Sequence, residues 1–399
     1  MLFSFRDLYR ILTSTALSNG FLVVLSLLLA RANSPADYAE FAFSVAVFAC
    51  SSLLLDFGLN ISVIKRQAYG VYKDTPMTFA SVKLAVAIVL LFVSVMYIIF
   101  LDGTLVHFGL FVGFTCASFN NVWLALRVAD QSSGDTSRFY KANRELFFLR
   151  VVTVVATYLA GLEPLHYLLA LYLYPFIVLF SLQKTLFQFR QHFRIFIASA
   201  PSVLSYSKWV FLSSLLFVAS VQIPVLSLKV LADDLQIATL GVAMTVASVS
   251  SWLSSSLKPF IIGRYLSSAY NQGSFFRLFI LFFIVILLTS VPVYFAFFSA
   301  FSDKYPGVEQ VGTVVFIYTS LVFILGIYNS QIHVSGRPEL EALVNFLRVL
   351  SILTIIYLQM TSLLNLVICV GLAMVVSEVL LVSINYKLKK NNTEYKNIG

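Results

Sequence analysis

The sequence predicts an all-α integral membrane protein. It reads as about twelve transmembrane helices in two six-helix halves around a central cavity, with both termini in the cytoplasm. Three observations predict this. The 399-residue chain is 59% hydrophobic and 11% charged, with a mean hydropathy of +0.90, whereas a soluble domain averages roughly 45–50% apolar and 25% charged residues. Apolar runs of spanning length recur along the whole chain, and no alternating pattern of an outer-membrane barrel interrupts them. The connectors alternate in charge, so that one set carries 20 of the 27 Lys and Arg residues. The other set is short and acidic and holds only the cations Arg31, Lys229 and Lys304. By the positive-inside rule the basic connectors and both termini face the cytoplasm.

The first half, residues 1–198, contains spans near 8–30, 40–64, 78–101, 105–126, 146–162 and 165–183. The first follows Arg6 and Arg10 and is longer than the roughly 7–15 apolar residues of a signal peptide, so it reads as an uncleaved span. The second half, 199–399, opens after a polar segment holding Arg190, His192 and Arg194. Its spans lie near 208–230, 238–259, 275–300, 311–333, 341–359 and 362–385. A weak internal repeat at an offset of 199 residues aligns Ala39, Phe41, Ala42, Phe43 and Val47 with Ala238, Leu240, Gly241, Val242 and Val246. Each copy would hold an even number of spans, so the two would run parallel about an axis along the membrane normal.

Several classes are excluded as expectations. The connectors are too short for a soluble catalytic domain, and no phosphate-binding Gly-x-x-x-x-Gly-Lys-Ser/Thr loop is present. No catalytic residue, cofactor or metal site is expected. The four histidines are scattered, and Cys50, Cys116 and Cys369 sit in apolar runs as small core residues. The net charge of +9 reports topology rather than a nucleic-acid partner, because the cations lie between spans.

Function is sought in ionisable groups at membrane depth, which are costly there and mark pathways by default. Asp56 lies nine residues before Lys65, about 13 Å along a helix, near the middle of a hydrocarbon layer about 30 Å thick. Glu378 lies nine residues before Lys387, and Arg348 eleven past Arg337, so these three groups share one level. Asp56 and Glu378 are the candidate proton or sodium sites, and Arg348 and Glu378 also suit a structural bridge. Lys83, Arg150 and Lys208 lie nearer the cytoplasmic ends, where long side chains snorkel to headgroups. Asn19, Asn60, Gln222 and Asn345 are the polar candidates for a cavity wall. Pro175, Pro224 and Pro292 fall inside spans, where each removes a backbone donor.

The first hairpin carries a resemblance. Leu28-Leu29-Ala30-Arg31, the acidic turn Asp37-Tyr38-Ala39-Glu40-Phe41-Ala42 and the closing Leu55-Asp56-Phe57-Gly58-Leu59-Asn60 are similar to the opening of the MOP (multidrug/oligosaccharidyl-lipid/polysaccharide) superfamily. Within it the chain most resembles the Wzx-type O-antigen flippases. That resemblance implies a non-enzymatic flippase of the bacterial inner membrane, moving an undecaprenyl-pyrophosphate-linked oligosaccharide from the cytoplasmic to the periplasmic leaflet by alternating access. Membrane lipids, a coupling proton or sodium ion and other polysaccharide-assembly membrane proteins are the implied partners. It also implies cations in the cavity, for which the candidates are Arg348, Lys83, Arg150, Lys208, Arg31 and Lys258. The alternative is an ion-coupled drug or organic-cation antiporter of the same superfamily, which needs acids in the cavity. A polysaccharide polymerase or ligase would carry a large outer loop that is absent here.

Overall fold

A computed structural model describes residues 10, 13, 20–56, 60, 83, 87–89, 92, 105–133, 136–181, 189–231, 233–249, 284, 288, 298–329, 338–358 and 362–396. The expected spans at 78–101 and 275–300 lie mostly outside these residues, as do Asn19, Lys258 and Pro292. Most of the described residues are helical, with no strand among them. Six helices among them are long and apolar enough to cross a membrane.

The first half opens with α1 (Phe21–Ala32) and α2 (Pro35–Asp56). Asn33 ends α1, its backbone and side-chain nitrogens both donating to Leu29 O at 3.0 Å. Ser34 starts α2 by accepting the Asp37 amide at 3.2 Å, and Pro35 is pre-set for the first helical position. These signals carry α2 back beyond the expected start at 40, so Asp37 and Glu40 sit on its first turns rather than in a loop. Next come α3 (Leu105–Ser133) and α4 (Thr136–Leu159). The latter begins ahead of the expected 146, which puts Arg138, Lys141 and Arg144 on a helix instead of a connector.

The span expected at 165–183 is broken into α5 (Pro164–Tyr172) and α6 (Tyr174–Ser181). The physical reason is Pro175, which has no amide hydrogen for the carbonyl of Leu171. Arg150 on α4 repairs that carbonyl, its Nε donating to Leu171 O at 2.9 Å. Thr153, one turn on, donates to Ala170 O at 2.5 Å.

The expected polar segment and first span of the second half are one helix, α7 (Phe189–Leu231), of 43 residues. At 1.5 Å per residue it rises about 64 Å, twice the hydrocarbon thickness; its spanning part is Lys208–Lys229. Then come α8 (Asp234–Val249), a 3-10 turn at Ser299–Phe301, α9 (Val308–Asn329), α10 (Pro338–Leu358) and α11 (Leu363–Lys396). The last three match the expected spans closely.

In the bilayer, helices associate through close packing rather than through the hydrophobic effect. Accordingly α2 packs along α3 and onto α7, α7 along α10, and α11 against both α9 and α10. The α2–α3 seam is closed by Gly113, where an added Cβ would lie 2.7 Å from Ser44 O and 2.9 Å from Val47 Cγ1. Gly113→Leu is therefore expected to destabilise the protein by about 1–3 kcal/mol through overpacking. Thermal unfolding in detergent checks this, and an unchanged midpoint would refute the close α2–α3 contact.

Candidate functional site

A cavity of about 520 Å³ lies between the helices of the two chain segments. That volume is in the usual range for a small-molecule site, roughly 300–1,000 Å³. Its wall comes from α1, α2, α5, α7, α8 and α9, with one residue each from α10 and α11. The surface is mainly apolar, and Phe41, Phe48, Tyr172, Phe217 and Phe323 contribute aromatic faces. Among the described residues the charged ones on the wall are two carboxylates, Glu341 and Glu378. No Lys or Arg among the described residues lines it.

The expected pairing of Arg348 with Glu378 is present. Arg348 is 1% exposed and its Nη2 meets Glu378 Oε1 at 2.6 Å. Its Nε donates to Ser377 Oγ at 2.5 Å, and Asn329 Nδ2 donates to the other carboxylate oxygen at 2.5 Å. Asn385 in turn donates to Asn329 Oδ1 at 3.4 Å. Glu378 is thus clamped at both oxygens by a buried network, and Arg348 lies behind Phe217, its Cζ 5.3 Å from that ring's centre.

The other sequence candidates separate. Asp56 is buried and pairs with Lys83 at 2.5 Å, and Lys83 also donates to Asn60 Oδ1 at 3.2 Å. Lys83 therefore does not snorkel. Neither does Arg150, which is 2% exposed, holds the Leu171 carbonyl and lies 4.9 Å over the Tyr172 ring. Lys208 is exposed, 5.7 Å from the ring of Trp209. Arg31 is exposed at the end of α1. Gln222 lines the cavity, whereas Asn345 is buried and donates to Ser213 O at 3.0 Å and Ser213 Oγ at 3.2 Å. Among the described residues no group of three His, Cys, Asp or Glu is placed to hold a metal.

Sequence reasoning missed Glu341, although Glu341, Asn345 and Arg348 are spaced to share one helix face. It also missed the hydroxyl triangle on the wall. Ser26 Oγ lies 3.1 Å from both Tyr38 OH and Thr245 Oγ1, which are 3.3 Å apart. At the outer surface Lys229 pairs with Glu40 at 2.6 Å and Asp234 at 3.3 Å. Lys304 donates to the carbonyls of Ala30, Arg31 and Asn33, and desolvation lowers its pKa.

No protein-family model matches the sequence, and no curated protein matches it. Solved structures do share the fold. A point mutant of the Vibrio cholerae MATE transporter VcmN superposes with a TM-score of 0.64 at 11% identity, over 97% of this chain and 96% of that one. A point mutant of another MATE protein gives 0.64 at 13% identity with the same coverage. A structure titled as the outward-facing conformation of a multidrug resistance MATE family transporter of the MOP superfamily gives 0.51 at 14%, again over 97% and 96%. The fold is thus the MATE-transporter fold, about twelve helices in two halves. The chain is a multi-pass membrane protein.

Breaking one partner of the buried bridge strands a charge. Arg348→Leu or Glu378→Leu alone is expected to cost about 3–5 kcal/mol, and the double substitution far less, since an apolar pair replaces a buried ion pair at little penalty. Unfolding of the three variants in detergent checks this. A double variant as unstable as the sum of the singles would show that the two residues do not act as a pair.

Proposed function

We propose that the chain is a MOP-superfamily transporter that moves amphiphilic organic cations by alternating access, coupled to entry of protons or sodium ions. The observation that carries this reading is the cavity wall, apolar and aromatic, with Glu341 and Glu378 as its charged members. Such a wall suits a greasy cation. Aromatic faces attract positive charge through their quadrupoles, and a carboxylate in a low-dielectric pocket favours a counter-cation. Among the described residues of that wall a pyrophosphate headgroup would meet acids and no cation. The likeness to MATE structures, one of them described as a multidrug resistance transporter, supports the same direction.

The proposed halves are 1–198 and 199–399, related by an axis along the membrane normal. Support comes from Ala42 and Gly241, which lie 199 residues apart and are in contact, a Cβ added to Gly241 falling 2.7 Å from Ala42 Cβ. Equivalent residues touch each other where a two-fold axis passes between them. The proposed location is the bacterial inner membrane.

The second reading is the lipid-linked oligosaccharide flippase, with other polysaccharide-assembly membrane proteins as its partners. One observation favours it: among the described residues Arg348 Nη1 is buried without a hydrogen-bond partner, beside Phe217 of the wall. Swinging Phe217 aside would present a guanidinium, the group that answers phosphate oxygens best.

Proteoliposomes separate the two. With an imposed proton or sodium gradient, a fluorescent organic cation such as ethidium is expected to be transported, and Glu341→Gln is expected to slow transport at least tenfold. Absence of gradient-driven cation movement, together with protein-dependent flipping of a pyrophosphate-linked oligosaccharide that Arg348→Ala abolishes, would replace the first reading by the second.

A further inference from the structure

We infer that the outer ends of the two halves are joined by a built-in latch that holds the cavity shut on the extracytoplasmic side. This rests on the alternating-access reading above and assigns it specific residues. The hydrogen bonds defined between residues below 199 and above it join Ser26, Ala30, Arg31, Asn33, Tyr38 and Glu40 to Lys229, Thr245, Lys304 and Tyr305. Most of these residues lie at or beside the connectors whose charge assigns them to the outside.

The latch has two tiers. In the outer tier Lys229, in the last turn of α7, reaches Glu40 on α2 at 2.6 Å. The segment ahead of α9 leans from the second half onto the first. Lys304 Nζ donates to Ala30 O at 2.9 Å, to Arg31 O at 3.0 Å and to Asn33 O, and Tyr305 OH donates to Ala30 O at 2.7 Å. An ammonium has three donors, and all three are used on one helix end. The carbonyls of that end have no intrahelical partners and carry the negative pole of α1. A lysine from one half therefore supplies the C-terminal cap of a helix in the other.

The inner tier is the hydroxyl triangle, in which Ser26 and Tyr38 of the first half meet Thr245 of the second. All three residues lie on the cavity wall. Between the tiers the backbones are brought together by Gly241, whose missing side chain leaves room for Ala42 and for the Tyr38 ring, at 2.7 and 3.3 Å from an added Cβ.

Separating the halves on this side must break both tiers together, since all of these bonds cross the same seam. The Lys229–Glu40 pair is only partly buried and the hydroxyl triangle faces the cavity, so these groups can be rehydrated when the seam opens. An apolar seam deep in the bilayer offers no such exchange. The arrangement is thus a reversible closure.

The test measures access to the cavity rather than transport. Cys50, Cys116 and Cys369 are replaced, and a single cysteine is placed on the wall by Gln222→Cys. Right-side-out and inside-out vesicles are treated with a membrane-impermeant maleimide. With the latch intact, labelling from the outside is expected to be slow and labelling from the inside faster. Lys229→Met with Lys304→Met is expected to raise the outside rate at least tenfold, and Gly241→Leu, a wedge in the seam, to do the same. Lys229→Arg should keep it slow. If the double variant does not fold, Tyr305→Phe removes one latch bond at constant shape and should still raise the outside rate. Unchanged outside labelling in every folded variant overturns the latch. Labelling from neither side in any of them overturns the alternating-access reading as well.

Discussion

The structure is governed by one requirement: inside a bilayer every donor, acceptor and charge needs a partner supplied by the protein. The clearest instance is the break between α5 and α6. Pro175 removes the amide that Leu171 O would have received, and Arg150 from α4 fills the vacancy at 2.9 Å. A kink on one helix thus recruits a cation from another and fixes how the two pack. The same requirement ties α2 to Lys83 through Asp56, and α10 to α11 through Arg348 and Glu378. Each buried charge in the described residues that the sequence singled out is consumed in this way, which leaves the described part of the cavity wall to aromatic faces, Glu341 and the already paired Glu378.

This requirement also explains what could be read from the sequence and what could not. Spans were legible because hydropathy is a local property. The expected 311–333, 341–359 and 362–385 correspond to Val308–Asn329, Pro338–Leu358 and the spanning part of Leu363–Lys396. Helix that continues past the hydrocarbon was not legible in the same way, because a polar helix outside the bilayer carries no apolar run. That is why the stretch beginning at Phe189 read as a linker, and why Arg138, Lys141 and Arg144 read as a loop. The Arg348–Glu378 bridge could be anticipated from equal depth on neighbouring spans. The role of Arg150 could not, since its partner is a backbone carbonyl with no signature except a proline 25 residues away. Lys83 looked shallow enough to snorkel, and only the fold shows that Asp56 and Asn60 hold it inside.

The rarity of outer cations has a structural counterpart. Only Arg31, Lys229 and Lys304 interrupt the acidic outer connectors. Two of those three join the halves, Lys229 by an ion pair and Lys304 by capping α1. A cation on that side runs against the bias that orients the chain during insertion. Both are compensated at once, one by two carboxylates and the other by the negative pole of a helix. A topological liability has been turned into contact across the seam.

In the proposed alternating-access cycle the bridge and the latch would play opposite parts. Arg348 and Glu378 belong to adjacent helices of one half, so rocking of the halves leaves their bond intact and keeps that half a rigid body. Glu40 with Lys229, and α1 with Lys304, belong to different halves and must part. The buried ion pairs therefore lie within each proposed half, and the partly buried Lys229–Glu40 pair lies between them. The proposed rigid-body transition is helped by this division, because an ion pair costs less to part the more water reaches it. With Arg348 neutralised inside its own half, the electrostatic character of the cavity falls to Glu341 and to whatever neutralises it, and that position lies within one turn of the cytoplasmic start of α10. In the proposed reading Glu341, on the cavity wall near the start of α10, is the acid that a cationic substrate or a coupling ion would meet.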